Sequence, residues 1–184
     1  MKATGIVRRV DELGRVVIPK EIRRSMHVRE GDPLELFVDH NNNCVCLKKY
    51  SPLQDFSNFA KDYADVVFRS TGYSVIITDR DQIVDGAGFN RCYILDKPVS
   101  QEMEELMVRH DSRISGGNCK PIPVTNDEKD PLGCVAQAIY PIVGDGEVYG
   151  TVVLFSPDPK SSITESAAKV AEVMAGLIGR QLEE

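Results

Sequence analysis

The sequence predicts an α+β protein in two parts, a small basic strand-rich module followed by a larger acidic domain built on an antiparallel sheet with helices. Three observations predict it. Charge is divided unevenly: residues 1–50 hold ten Lys/Arg against seven Asp/Glu, a net of +3, whereas residues 51–184 hold twelve against twenty-one, a net of −9. Apolar residues alternate with period two in short runs on both sides of Ser51-Pro52, and helical spacing is confined to a few stretches. Late in the chain Gly144-Asp145-Gly146, a strong hairpin signal, joins two apolar runs.

In the first part, residues 4–10 alternate as a strand, with Ile6, Arg8 and Val10 on one face and Gly5, Val7 and Arg9 on the other. Asp11-Glu12-Leu13-Gly14 forms a turn, and Arg15–Ile18 a second short strand. Pro19 suits a first helical turn, where its missing N–H would be unbonded in any case. That helix is expected to run to about His27, ahead of the Glu30-Gly31-Asp32 turn. Leu34, Leu36 and Val38 alternate as a third strand, His40–Asn43 turns the chain, and Cys44–Tyr50 is the fourth. A segment this small buries too little surface to be stable alone and has neither a disulfide nor a metal motif to compensate. The expectation is a dimer through residues 1–50, with intertwined chains.

Ser51-Pro52 marks the boundary, giving domains over 1–52 and 53–184. From residue 53 to 69, Leu53, Phe56, Ala60, Tyr63 and Val67 step at heptad spacing. Val75–Asp79 and Ile83–Ala87 read as strands, 100–112 as an amphipathic helix capped by Ser100, and 115–132 as loop. The runs Val135–Val143 and Val148–Ser156 flank the Gly-Asp-Gly turn. Ser162-Ile-Thr-Glu165 reads as a capping box opening a last helix over 162–182, on which Ile163, Ala167, Val170, Met174 and Leu177 share a stripe. This order implies an antiparallel sheet with helices on one side. The two heptad-like helices are too short for long coiled coils, and each packs on the sheet, on the other helix or on a partner subunit, the last of which would make a tetramer.

On a helix starting at Pro19, the cations Lys20, Arg23, Arg24 and His27 fall at i, i+3, i+4 and i+7 and share one face about 100° wide. Ile22 and Met26 lie on the opposite face, toward a core. Such a stripe can be a solvated surface with Arg stems covering apolar atoms. A twofold dimer doubles it, however, and clustered guanidinium groups repel unless a polyanion neutralises them. Planar guanidinium groups also engage phosphates or guanine edges with two bonds each. A nucleic acid is the expected partner, and the charge geometry places Lys20 and Arg9 at its surface.

The stretches "ATGIVRRVDELGRVVIPKEIRR", "GDPLELFVD" and "LKKYSP" closely resemble the swapped-hairpin DNA-binding domain of AbrB-type transition-state regulators, over nearly all of residues 1–52. The remainder looks like a GAF-type sensor domain, and length and order resemble regulators of spore development in that family. The resemblance implies two chains interleaving their hairpins into one β-barrel, with Arg8, Arg15, Arg23 and Arg24 on DNA. It implies a transcription regulator of sporulation genes, at the nucleoid, with an unidentified small-molecule effector in a pocket between the sheet and the 87–120 segment. The alternative is an antitoxin-like DNA-binding protein with a partner-binding C-terminal region, since MazE-type antitoxins use a similar module.

Other functions find little support. Apolar residues make up 42% of the chain and charged residues 27%, with no run near the roughly 20 needed to span a bilayer, so the expected location is cytoplasmic. Five cysteines, at 44, 46, 92, 119 and 134, form no CxxC pair and argue against a disulfide framework. Cys46 is expected in the core and Cys44 outward beside the Asn turn; with His40 they lack a fourth ligand, so no metal site is assigned. No nucleophilic triad or cofactor motif is present, and neither a catalytic residue nor a cofactor is expected.

Overall fold

The structure is a computed structural model that describes residues 4–116, 119–127 and 132–183. The chain divides into two compact units, residues 1–50 and 51–184.

In the first unit, helix α1 (Lys20–Ser25) follows Pro19, and strands β1 (Leu34–Asp39) and β2 (Cys44–Lys49) pair antiparallel, with Leu34 opposite Lys49 and Asp39 opposite Cys44. Asp39 holds the connecting turn by accepting bonds from the N–H groups of Asn41 (3.0 Å) and Asn42 (3.1 Å) and from Asn42 Nδ2 (2.7 Å). The strands expected over 4–10 and 15–18 are not formed within the chain. The physical reason is that alternation makes a strand only where a neighbour supplies the ladder. Within the chain the segment makes only its turn, where Asp11 N–H donates to the Arg15 carbonyl and Gly14 N–H to that of Asp11, both at 3.0 Å. No described residue of 4–50 is buried.

The second unit is a five-stranded antiparallel sheet in the order β4-β3-β7-β6-β5. Its strands are β3 (Ser74–Asp79), β4 (Ile83–Ala87), β5 (Arg113–Ser115), β6 (Ala136–Gly144) and β7 (Glu147–Ser156). Its helices are α2 (Pro52–Asp55), α3 (Ser57–Thr71), α4 (Gln101–Val108) and α5 (Glu165–Gln181). The helices cover both faces rather than one. Val75, Ile77, Val152 and Leu154 point to a core shared with α3 and α5, while their neighbours Ile76, Val153 and Phe155 point to a second core with Met103, Leu106 and Met107 of α4. Period-two alternation in a central strand whose every residue is buried requires a layer on each side.

The expected helix over 53–69 is divided between α2 and α3, with Leu53, Ala60 and Val67 buried in the first core. Asp145 (φ 50°) and Gly146 (φ 78°) form the two-residue turn between β6 and β7, both left-handed as a type I′ turn requires. Ser100 caps α4, its Oγ accepting from Met103 N–H at 3.1 Å. The cap of α5 is Thr164 and not Ser162: Thr164 Oγ1 accepts from Ala167 N–H at 3.3 Å, while the Ser162 carbonyl accepts from Tyr73 Oη at 2.8 Å. Glu165 therefore opens the helix, favourably placed near its positive end. β5 was hidden from the sequence because three residues at a sheet edge carry too little periodicity.

Candidate nucleic-acid interface

The cations of the first unit differ in what holds them. Lys49 is structural: its Nζ pairs with Asp32 at 3.1 Å and donates to the His27 carbonyl at 3.0 Å, tying β2 to the end of α1. Arg8, Arg9, Lys20 and Arg24 are exposed and Arg23 is half-buried, and among the described residues no carboxylate ion-pairs with any of these five. Arg15 is exposed but held, since its Nε bonds Asp11 Oδ2 at 2.8 Å while Asp11 Oδ1 accepts the Arg15 N–H at 2.8 Å. Those bonds from Arg15 hold the Asp11 carboxyl below its ordinary range. Asp11 is thus a positioning residue for Arg15 that sequence reading had assigned only to the turn.

α1 is shorter than its charge stripe implied. Val28 N–H bonds the Arg23 carbonyl at 2.8 Å and His27 N–H that of Arg24 at 3.3 Å, the paired bonds of a Schellman cap. His27 takes the left-handed conformation (φ 51°) such a cap needs and leaves the stripe. Lys20, Arg23 and Arg24 remain on the helix, with both arginines in its last turn, where cations oppose the negative end of the dipole. Met26 is not buried within the chain; Ile22 is half-buried. The structure thus places Lys20, Arg23 and Arg24 on α1 and Arg15 at the end of the turn that follows Arg8 and Arg9.

Around these cations the unit exposes Ile6, Val7 (87%), Val10, Leu13 (74%), Val16 and Val17, with Leu36, Phe37, Val38 and Val45 of the hairpin. β1 and β2 also each have an edge unpaired within their two-stranded sheet. Apolar surface and open edges on one small unit are the conditions for pairing with another chain.

In the second unit, Ile94, Val99, Met103 and Leu106 pack between the sheet and residues 87–120, of which 117 and 118 lie outside the described residues. One surface cleft is lined by Glu102, Arg109, Arg113 and Ile122 and another by His110, Tyr140, Glu172 and Gly176. Among the described residues no group of three or more His, Cys, Asp or Glu could hold a metal ion, and no helix is long and apolar enough to cross a membrane.

A small basic module with unpaired edges, joined to a separate domain whose sheet is covered by helices on both faces, has the organisation of a DNA-binding regulator. Comparison with known proteins agrees with that class. Residues 55–183 match the family described as stage V sporulation protein T C-terminal, transcription factor, and residues 7–55 match antidote-toxin recognition MazE, bacterial antitoxin. The chain is 44% identical over 184 residues, 100% of both chains, to stage V sporulation protein T of Bacillus subtilis strain 168. Over 52 residues, 28% of this chain and 52% of the relative, it is 60% identical to the transition state regulatory protein AbrB of the same organism. The GAF domain/HD domain protein from Geobacter sulfurreducens superposes with a TM-score of 0.53 at 12% identity, covering 74% of this chain and 96% of the other, so the second unit has the GAF fold. The chain belongs to the stage V sporulation protein T family.

Proposed function

We propose that this chain is a DNA-binding transcription regulator of sporulation genes, dimeric through residues 1–50 and bound to double-stranded DNA through Arg8, Arg15, Arg23 and Arg24, with Lys20 and Arg9 adding phosphate contacts. The single observation that carries this reading is that no described residue of 4–50 is buried, while Arg8, Arg9, Lys20, Arg23 and Arg24 have no carboxylate partner among the described residues. A second copy supplies what the unit lacks: strands over 4–10 and 15–18 complete their ladders across the interface, and the apolar faces form one barrel core. The two sets of arginines then meet the same duplex, as the 60% identity to AbrB over 52 residues supports.

The test is a gel shift of the full chain on AT-rich promoter DNA across a salt series. Affinity falls steeply with salt, and Arg23→Ala or Arg24→Ala each weaken binding by about 1–3 kcal/mol and flatten the slope by about one unit. Unaltered affinity at matched salt would remove those residues from the interface.

Residues 53–184 act as a sensor and assembly domain. On α5, Val170, Val173 and Leu177 (58%) face outward opposite the core stripe, and on α3 so do Phe59 and Val66 (64%). Tyr63 Oη bonds Gln181 Oε1 at 3.1 Å, holding these two helices side by side. Their outer apolar stripes pair dimers into a tetramer, and light scattering of Leu177→Asp is expected to give the dimer. A small-molecule effector binds between the sheet and the 87–120 segment, and a ligand that raises Tm and shifts DNA affinity would identify it. The antitoxin reading needs a C-terminal region that folds on its toxin, whereas residues 51–184 already enclose two cores.

A further inference from the structure

Cys44 and Cys46 stand two positions apart on β2, so their side chains share a face, contrary to the expectation of one inward and one outward. Both are half-buried, within reach of solvent, and their Sγ atoms lie 3.9 Å apart. An ion with metal–sulfur bonds of about 2.3 Å holds two thiolates roughly 3.8 Å apart at a tetrahedral angle and roughly 4.0 Å apart at a trigonal one. The observed separation lies between these values and needs no movement of the backbone. A disulfide, in contrast, would draw the sulfurs to about 2.05 Å and hold two Cα atoms roughly 6.6 Å apart, near the upper limit of disulfide spacing.

We propose that Cys44-Val45-Cys46 is a bidentate dithiolate site for one thiophilic metal ion of the Zn(II), Cd(II) or Cu(I) class. The ligand chemistry follows from the donors: thiolates select soft ions, and no third His, Cys, Asp or Glu among the described residues joins the pair to build a closed site. Asp39, opposite Cys44, is committed to the Asn41-Asn42 turn. The remaining coordination positions are left to solvent or an external thiol, so the ion exchanges. On binding, each thiol loses its proton to solvent and forms one sulfur–metal bond, with no change of oxidation state.

The test titrates the reduced full chain with Cd(II), following sulfur-to-cadmium charge-transfer absorption, and then displaces the ion with a chromophoric chelator. The expected result is a saturable step near one ion per chain with proton release. Cys44→Ser and Cys46→Ser should each abolish it, while a Cys92→Ser, Cys119→Ser, Cys134→Ser triple variant retains it. Retained gel-shift affinity shows that the single variants are folded, and Cys44→Ala serves should Cys46→Ser fail that control. A step that survives either single substitution, disappears in the triple variant, or is absent from the reduced wild-type chain overturns the proposal.

Discussion

The two units spend their apolar residues differently. In residues 51–184 the strands bury their alternating side chains against helices of the same chain, in two separate cores. In residues 4–50 a comparable alternation is left open, with Val7, Leu13 and Val17 exposed and no residue buried. Sequence pattern alone therefore does not tell a strand that is complete within its chain from one that waits for another chain. The available surface decides: about 130 residues close on themselves, whereas about 50 do not.

The comparison can be broken most forcefully at the second unit's core. Phe155, buried against Phe89 with ring centroids 5.9 Å apart, is central to the sheet's second core. Phe155→Ala is expected to cost about 3–5 kcal/mol, lowering the denaturation midpoint of residues 51–184. The first unit should lose its structure on dilution in a manner that circular dichroism at several concentrations would follow. Loss of both transitions together in Phe155→Ala would show that the units are not independent.

Smaller changes sharpen the contrast. Thr164→Ala removes the cap of α5 and should cost about 1 kcal/mol, seen as a lower urea midpoint for the second unit only. His27→Gly relieves a left-handed non-glycine residue and should stabilise the first unit by about 1 kcal/mol while leaving DNA affinity unchanged. A loss of affinity there would return His27 to the interface. The smallest effect is at Asp11. Its carboxyl, held below the ordinary value of 3.8, contributes stability that is present above that value and is lost as pH falls through its lowered folded value. Asp11→Asn should remove that acid-side step, which titration by nuclear magnetic resonance would detect, and loosen Arg15.

Much of this was legible in the sequence because it depends on local rules. Asp145-Gly146 specified its turn, Ser100 its cap, and Leu53, Ala60 and Val67 their buried stripe. The failures lie where tertiary context outweighed local signal. Ser162 offered a capping box with the right spacing, but Tyr73 claimed its carbonyl and Thr164 took the cap. The stripe from Lys20 to His27 assumed a helix that ran on, whereas the Schellman bonds closed it at Ser25. Asp11 was legible as a turn former; its second role, fixing Arg15, needed coordinates. The helices on the second sheet face followed only once β3 was seen to be buried on both sides.

The open hairpin of residues 4–18 also sets how this protein responds to its own abundance. In the proposed dimer, a barrel whose core belongs jointly to two chains forms in proportion to the square of the free chain concentration when chains are scarce, so halving the supply cuts functional protein about fourfold. Gene dosage and degradation rate thereby become inputs to regulation in their own right, with a threshold below which the promoter meets no reader. Any other protein carrying a compatible hairpin would draw on the same pool.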